Sequence, residues 1–231
     1  MVSGQALLLG VTPEIADIAW DPPLQLLAID RSAAMIQSIW PGDTARRGAR
    51  VGDWLTLAPP NGGFELIIGD GVLTLFEYPE GYAVLGAALS RLLRPGGLLA
   101  VRVFCRVEPS ETVSDVMLAL WTGRIGSFHA FKWRLAMALQ GDATRGVQLA
   151  NIWSCFVEQA GSVQALAERT GFPEPEVATI EGYRGVQDCY SFSTEREVVE
   201  LLAPHFELLE TWRGSYELGE RCPHLTLRRR A

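Results

Sequence analysis

The stretch Ala6-Leu7-Leu8-Leu9-Gly10-Val11-Thr12-Pro13-Glu14 decides the fold. Four apolar residues in succession read as a strand buried on both faces, as in the centre of a parallel sheet. Gly10 follows at once. A glycine there lets the backbone turn sharply and leaves no side chain to block an approaching ligand. Thr12 is an N-cap residue type and Pro13 suits the first helical position, so a helix is expected to open here. Strand, glycine turn and helix N-terminus are the parts with which α/β folds hold nucleotide-like ligands above the sheet. An ordinary strand-to-helix junction would read the same, so the residues downstream have to carry the weight.

Leu24 to Ile29 is a second apolar run, LQLLAI, ending at Asp30. Asp30 follows Gly10 by about 20 residues, the interval at which nucleotide-binding α/β units place an acid on a ribose. A carboxylate suits that task because it accepts from both ribose hydroxyls. Ser32 can cap the next helix, which carries Met35, Ile36 and Ile39. A polar connection, Pro41 to Arg50, leads to a third strand whose end carries Val51-Gly52-Asp53-Trp54. An acid followed by a large aromatic can accept from an adenine amine and cover the flat ring. Phe64 to Val72 reads as a fourth strand ending in Gly69-Asp70-Gly71. Pro79 opens a helix to about Arg94, with Tyr82, Leu85, Ala88, Leu89 and Leu92 at helical spacing. Arg94-Pro95-Gly96-Gly97 stops it, and Leu98 to Phe104 is a fifth strand. Apolar strands alternating with helices imply a doubly wound, mostly parallel sheet with helices on both faces.

After Phe104 the rhythm breaks. Helices are expected near residues 111–121, 129–140, 147–160 and 162–170, the last capped by Ser162 and ended by Gly171. Thr194-Glu195-Arg196-Glu197 is a capping box opening a helix through Leu202. Phe206 to Arg213 and His224 to Arg229 read as two strands of a closing hairpin. The expectation is one α/β domain over residues 1–231, with a seven-stranded sheet, an antiparallel C-terminal hairpin, and residues 105–185 as a helical insertion after strand five. Within it, Arg124 to Arg134 mixes aromatic and cationic groups. They can bind a flat or acidic small molecule, or the helix can simply bury Phe128, Phe131 and Trp133.

Bulk composition narrows the function classes. Apolar residues at 48% and charged ones at 20% are those of a soluble globular chain. No apolar run approaches the ~18–20 residues of a membrane span, and no signal peptide is visible. Cys105, Cys155, Cys189 and Cys222 are far apart without a CxxC pair, as in reduced cytoplasmic proteins. With three scattered histidines, no metal site is expected. A net charge of −7 argues against nucleic acid as partner, and Arg228-Arg229-Arg230 reads as a solvated basic end. Lys132 is the only lysine, an arginine bias that reads as coding preference.

Taken together, these residues resemble the class I S-adenosylmethionine-dependent methyltransferases, over residues 5–104 and again over about 193–230. The likeness rests on LLLGVTPE, LLAIDRSAAM, VGDW, FELIIGDGVL and LSRLLRPGGLLAVRVF, in that order and at fitting intervals. It implies S-adenosylmethionine as cofactor and S-adenosylhomocysteine as product. It implies cofactor contacts from Gly10-Val11-Thr12, Asp30-Arg31 with Met35, Asp53-Trp54 and Asp70-Gly71. Two departures stand out. The family turn usually carries an acid and several glycines, where this chain keeps only Gly10. The family also usually has helices before the first strand, so here that flank must be covered otherwise or lie open.

The reading is methyl transfer to a small-molecule acceptor held by the insertion, with His129 and Trp133 as acceptor-binding residues. Cofactor sulfonium chemistry needs alignment more than a protein nucleophile. No Ser-His-Asp or Cys-His constellation is evident, and His129 is the one candidate for an auxiliary base. The alternative is a non-catalytic S-adenosylmethionine-binding sensor or partner subunit. A nicotinamide oxidoreductase would want the full GxGxxG, which is absent.

Overall fold

The apolar runs pair as parallel strands. In the computed structural model, which describes residues 4–20, 23–140 and 144–231, β1 (Gly4–Leu9) lies between β2 (Leu24–Asp30) and β4 (Phe64–Asp70). Hydrogen-bonded on both edges and packed on both faces, Ala6, Leu7 and Leu8 are fully buried. β3 (Arg47–Val51) extends the sheet on one side, and β5 (Leu93–Arg102) on the other. Antiparallel β9 (His224–Arg229) and β8 (Phe206–Trp212) complete the order β3-β2-β1-β4-β5-β9-β8. This is the expected mixed seven-stranded sheet with its closing hairpin.

Helices cover the two faces unequally. On one face α3 (Glu80–Leu92) and α9 (Glu195–Leu202) bury Tyr82, Leu85, Leu89, Val198 and Leu202 against Leu7, Ile67, Leu99 and Leu225. On the other, α1 (Pro13–Ala16) and α2 (Ala33–Ile39) lie over Ala6, Leu8 and Ala28. Beyond them the sheet floor of Ile68, Ala100 and Thr226 lines an open cleft of about 600 Å³, walled by Thr12, Ile15 and Ile18.

Local differences have physical causes. α1 is a single turn, and the Thr12 side chain makes no cap hydrogen bond. β3 occupies a stretch that reads as a polar connection. As the end strand of the sheet it is paired on one side only, where charged residues are tolerated and discourage further pairing. Arg47 holds it by bonding Asp17 and the Gly42 and Ala16 carbonyls. α3 stops at Leu92, before Arg94, because Leu93 already pairs with Phe64; Leu98 resumes pairing, with Leu66, after a register shift.

Between β5 and β8 the chain builds a helical layer with its own core. α4 (Val113–Trp121), α5 (Phe128–Gln140), α6 (Leu149–Ala160), α7 (Val163–Thr170) and α8 (Glu174–Ala178) bury Phe128, Phe131, Ile152, Phe156 and Leu166 together. A two-residue ladder of β6 (Val147–Gln148) and β7 (Cys189–Tyr190), unmarked by any alternation, closes it. Unlike the Thr12 cap, the caps read from sequence at α2, α7 and α9 are made. The Ser162 hydroxyl accepts from Ala165 N–H, Gly171 takes the left-handed conformation at the end of α7, and Thr194 and Glu197 cap α9 reciprocally.

Candidate functional site

The carboxyl ends of the parallel strands gather the residues singled out from the sequence. Gly10 leaves β1 with φ +90°, and its N–H donates to the Ile29 carbonyl of β2 at 2.8 Å. A Cβ at position 10 would stand 3.8 Å from Asp30 Oδ2, so the bare turn and the acid face each other. Asp30 Oδ1 accepts from Ser32 N–H at 2.7 Å, which fixes the carboxylate at the start of α2. The Ser32 hydroxyl in turn accepts from Met35 N–H. Met35 and Arg31 are exposed beside this turn, and Val11 is buried beneath it. Trp54 donates its indole N–H to the same Ile29 carbonyl at 2.7 Å and tilts against Phe76. Asp53 is already engaged, accepting from Leu55 N–H at 2.9 Å and standing 3.6 Å from Arg31 Nε.

Asp70 and Gly71 join this rim to a cavity. The Asp70 carboxylate is clamped bidentately by Arg102 of β5, both contacts at 2.6 Å. Burial works against the Arg102 charge, but the hydrogen bonds to Asp70 outweigh it and hold the guanidinium firmly protonated. Gly71 has φ +65° and presses against the Phe104 ring, where a Cβ would come within 2.4 Å. Phe104 stacks on Trp133 of α5, with centroids 4.4 Å apart and planes 19° apart.

The cavity beyond has a volume of about 650 Å³, within the range of small-molecule sites. Asp70, Gly71, Phe104, His129, Lys132 and Trp133 line it, with Tyr190 and Tyr216 completing an aromatic wall. Gly10, Asp30 and Asp53 stand outside it, on the rim. Both acceptor candidates, His129 and Trp133, are therefore brought to one cavity, while Phe128 and Phe131 go fully into the helical core. One side of that helix thus packs into the core, and the other, with Trp133, lines the cavity instead of being buried as the packing reading has it. Burial, and then the nearby Lys132, push the His129 imidazole below its ordinary pKa, so it is neutral at pH 7. Cys222 also lines the cavity, but burial pushes its thiol up to about 11, too high for a thiolate nucleophile.

Glu217 closes the rim. It accepts from Gly126 N–H at 2.6 Å and from the Ser127 hydroxyl at 2.7 Å, tying the α4–α5 turn to the segment before β9. Lys132 falls within the aromatic and cationic segment Arg124 to Arg134, whereas no motif singles out Arg102, Phe104, Tyr190, Tyr216 or Glu217 as site residues. Two signals were available: a lone arginine inside an apolar strand, and the only lysine of the chain. Among the described residues, no group of three His, Cys, Asp or Glu side chains is placed to hold a metal ion.

No protein-family model and no curated protein matches the sequence. Solved structures do match over the whole chain. An S-adenosylmethionine-dependent methyltransferase from Methanosarcina mazei is 14% identical with a TM-score of 0.53, covering 100% of this chain and 94% of its own. A Burkholderia thailandensis 1,6-didemethyltoxoflavin-N1-methyltransferase, crystallised with that compound and S-adenosylhomocysteine, is 16% identical with a TM-score of 0.55, covering 100% and 72%. A Rhodobacter sphaeroides structure provisionally described as a zinc-dependent alcohol dehydrogenase is 12% identical with a TM-score of 0.61, covering 100% and 86%. The sheet itself separates these descriptions. A dinucleotide-binding dehydrogenase sheet runs 3-2-1-4-5-6 in parallel, whereas here the last two strands in the order, β9 and β8, form an antiparallel hairpin. The fold of this chain is that of the class I S-adenosylmethionine-dependent methyltransferases.

Proposed function

We propose that the chain binds S-adenosylmethionine across the carboxyl ends of β1 to β4 and transfers its methyl group to a small molecule in the 650 Å³ cavity. The observation that carries this reading is the shared Asp70–Gly71 turn. It forms the end of the nucleotide-type rim built by Gly10 and Asp30, and it also lines the cavity. The residues fit such a cofactor. Gly10 offers a bare approach, and Asp30 keeps Oδ2 free of the Ser32 bond for a ribose hydroxyl. Asp53 and Trp54, at the neighbouring strand end, are the residues that would take the adenine side.

The bound cofactor would supply an already activated methyl on a sulfonium. The protein has then to align. Phe104, held by Gly71 and stacked on Trp133, gives a planar acceptor a fixed wall, and the helical layer supplies the far side of the cavity. Alignment of this kind is worth about 7–11 kcal/mol of a barrier. His129, neutral at pH 7, can take up the acceptor's proton as an auxiliary base. The small-molecule acceptor is supported by the cavity size and by the heteroaromatic ligand of the Burkholderia neighbour. A cytoplasmic setting agrees with the four free thiols; no helix among the described residues is long and apolar enough to cross a membrane.

A non-catalytic sensor is the second reading. It is favoured by the one-turn α1 and by the Arg102 clamp on Asp70, both departures at the methionine end of the site. Calorimetry with S-adenosylhomocysteine tests the shared part. At a hundredfold excess over Kd, binding stabilises by roughly 2.7 kcal/mol, or roughly 5–11 °C in Tm at this chain length. Asp30→Ala should weaken it by roughly ten- to a hundredfold, the worth of charge-assisted hydrogen bonds. A folded protein with neither heat nor shift refutes both readings. Release of S-adenosylhomocysteine from S-adenosylmethionine in a metabolite pool separates enzyme from sensor.

A further inference from the structure

The only lysine of the chain is buried at the cavity wall. Lys132 is 9% exposed and lines the cavity from α5. Its Nζ lies 5.4 Å from the ring centroids of both Trp133 and Tyr183. Among the described residues no carboxylate comes within ion-pair distance of it. The other charged groups of the wall are committed elsewhere. Asp70 and Arg102 neutralise each other at 2.6 Å. Glu217, exposed at the rim, is taken by Gly126 and Ser127. Burial alone drives the Lys132 ammonium below its usual pKa, with no opposing charge. A buried, unpaired ammonium is costly, and folded proteins keep one where something else completes the pair. Ring contacts offset only part of that cost.

We propose that Lys132 is the counter-ion of the acceptor: the cavity takes a planar aromatic molecule carrying an acidic oxygen, its ring against Phe104 and Trp133 and its anion on the Lys132 ammonium. This assigns a substrate class to the methyl-transfer reading, and it rests on that reading for the word acceptor. It does not rest on it for binding, which the cavity performs by itself. The aromatic wall supplies flat apolar contact without choosing between rings. The ammonium supplies the choice, because a ligand without the anion leaves it buried and unpaired.

The test uses salicylate, 2-naphthoate and their methyl esters, titrated calorimetrically into the intact protein with and without saturating S-adenosylhomocysteine. At least one acid should bind roughly tenfold or more tighter than its ester, as expected of a charge-assisted contact. Lys132→Met should abolish that preference, Lys132→Arg should retain part of it, and the Kd for S-adenosylhomocysteine should stay the same in all three proteins. Lys132→Met should also raise the Tm of the ligand-free protein by about 2–4 °C, since an unpaired buried charge is replaced by an apolar side chain of similar length. Esters binding as tightly as acids, no acid binding the wild type, or an acid preference that survives Lys132→Met would each overturn the proposal. Failure of S-adenosylhomocysteine to bind would overturn the methyl-transfer reading, while the acid–ester comparison would still decide the role of Lys132. If Lys132→Met does not fold, the wild-type comparison and Lys132→Arg decide it.

Discussion

Gly71 concentrates two constraints at one residue. Its φ of +65° lies where a side chain strains the backbone, and the position of its missing Cβ is filled by the Phe104 ring. Backbone strain of roughly 1–2 kcal/mol is expected for any other residue there. Ala at 71 also needs Phe104 to move, and Phe104 cannot move without disturbing its stack on Trp133. Gly71→Ala is therefore expected to lower Tm by roughly 2–8 °C and to alter the cavity wall. Scanning calorimetry, with near-ultraviolet circular dichroism for the Trp133 environment, checks both. An unchanged melting curve and spectrum would mean that the turn has slack the geometry denies. Asp70 teaches a different lesson at this scale. As a strand-end acid it reads as free to meet a ligand, yet Arg102 from the neighbouring strand already holds both its oxygens.

Among the elements, α9 and α1 stand at opposite ends of what local sequence can specify. The box of Thr194 and Glu197 satisfies two N-terminal donors of α9 within four residues of sequence, so it forms wherever the helix forms. Thr194→Ala should cost about 1 kcal/mol, or about 2–4 °C in Tm at this chain length. A thermal scan showing no loss would mean that α9 is held by Val198 and Leu202 alone. α1 has the right start signals, Thr12 and Pro13, but runs for one turn. Start signals say where a helix can open; its length depends on what it packs against, and past Ala16 the exposed Asp17, Ile18 and Ala19 offer no buried face before Trp20 packs back on the core. On the proposed function, a ligand at this turn would therefore rely on bare backbone at Gly10 more than on a helix dipole, which needs several aligned turns.

For the whole molecule, the cavity lies where the sheet and the helical layer meet. Each has its own core, and they meet at the cavity through Phe104, Trp133 and the Glu217 tie. Glu217→Ala removes both bonds to the α4–α5 turn. Amide hydrogen exchange should accelerate over residues 122–128, while the parallel strands β1, β2 and β4 stay protected. Equal exchange in mutant and wild type would show that the layer is seated by apolar packing alone.

The strands and their order of appearance, the caps of α7 and α9 and the acids at the strand ends were legible in the sequence, because each depends on neighbours a few residues away. Of β3 only the end at Val51 was, since the polar residues before it, Arg47 to Arg50, are allowed in a strand by its place at the sheet edge. The cavity was not. Arg102 and Asp70 are 32 residues apart, and Ser127 and Glu217 are 90 apart. No periodicity relates such pairs. Only the closed chain buries the lone lysine at a cavity wall, with no carboxylate among the described residues within ion-pair distance, and it is this arrangement that suggests a ligand-selecting role.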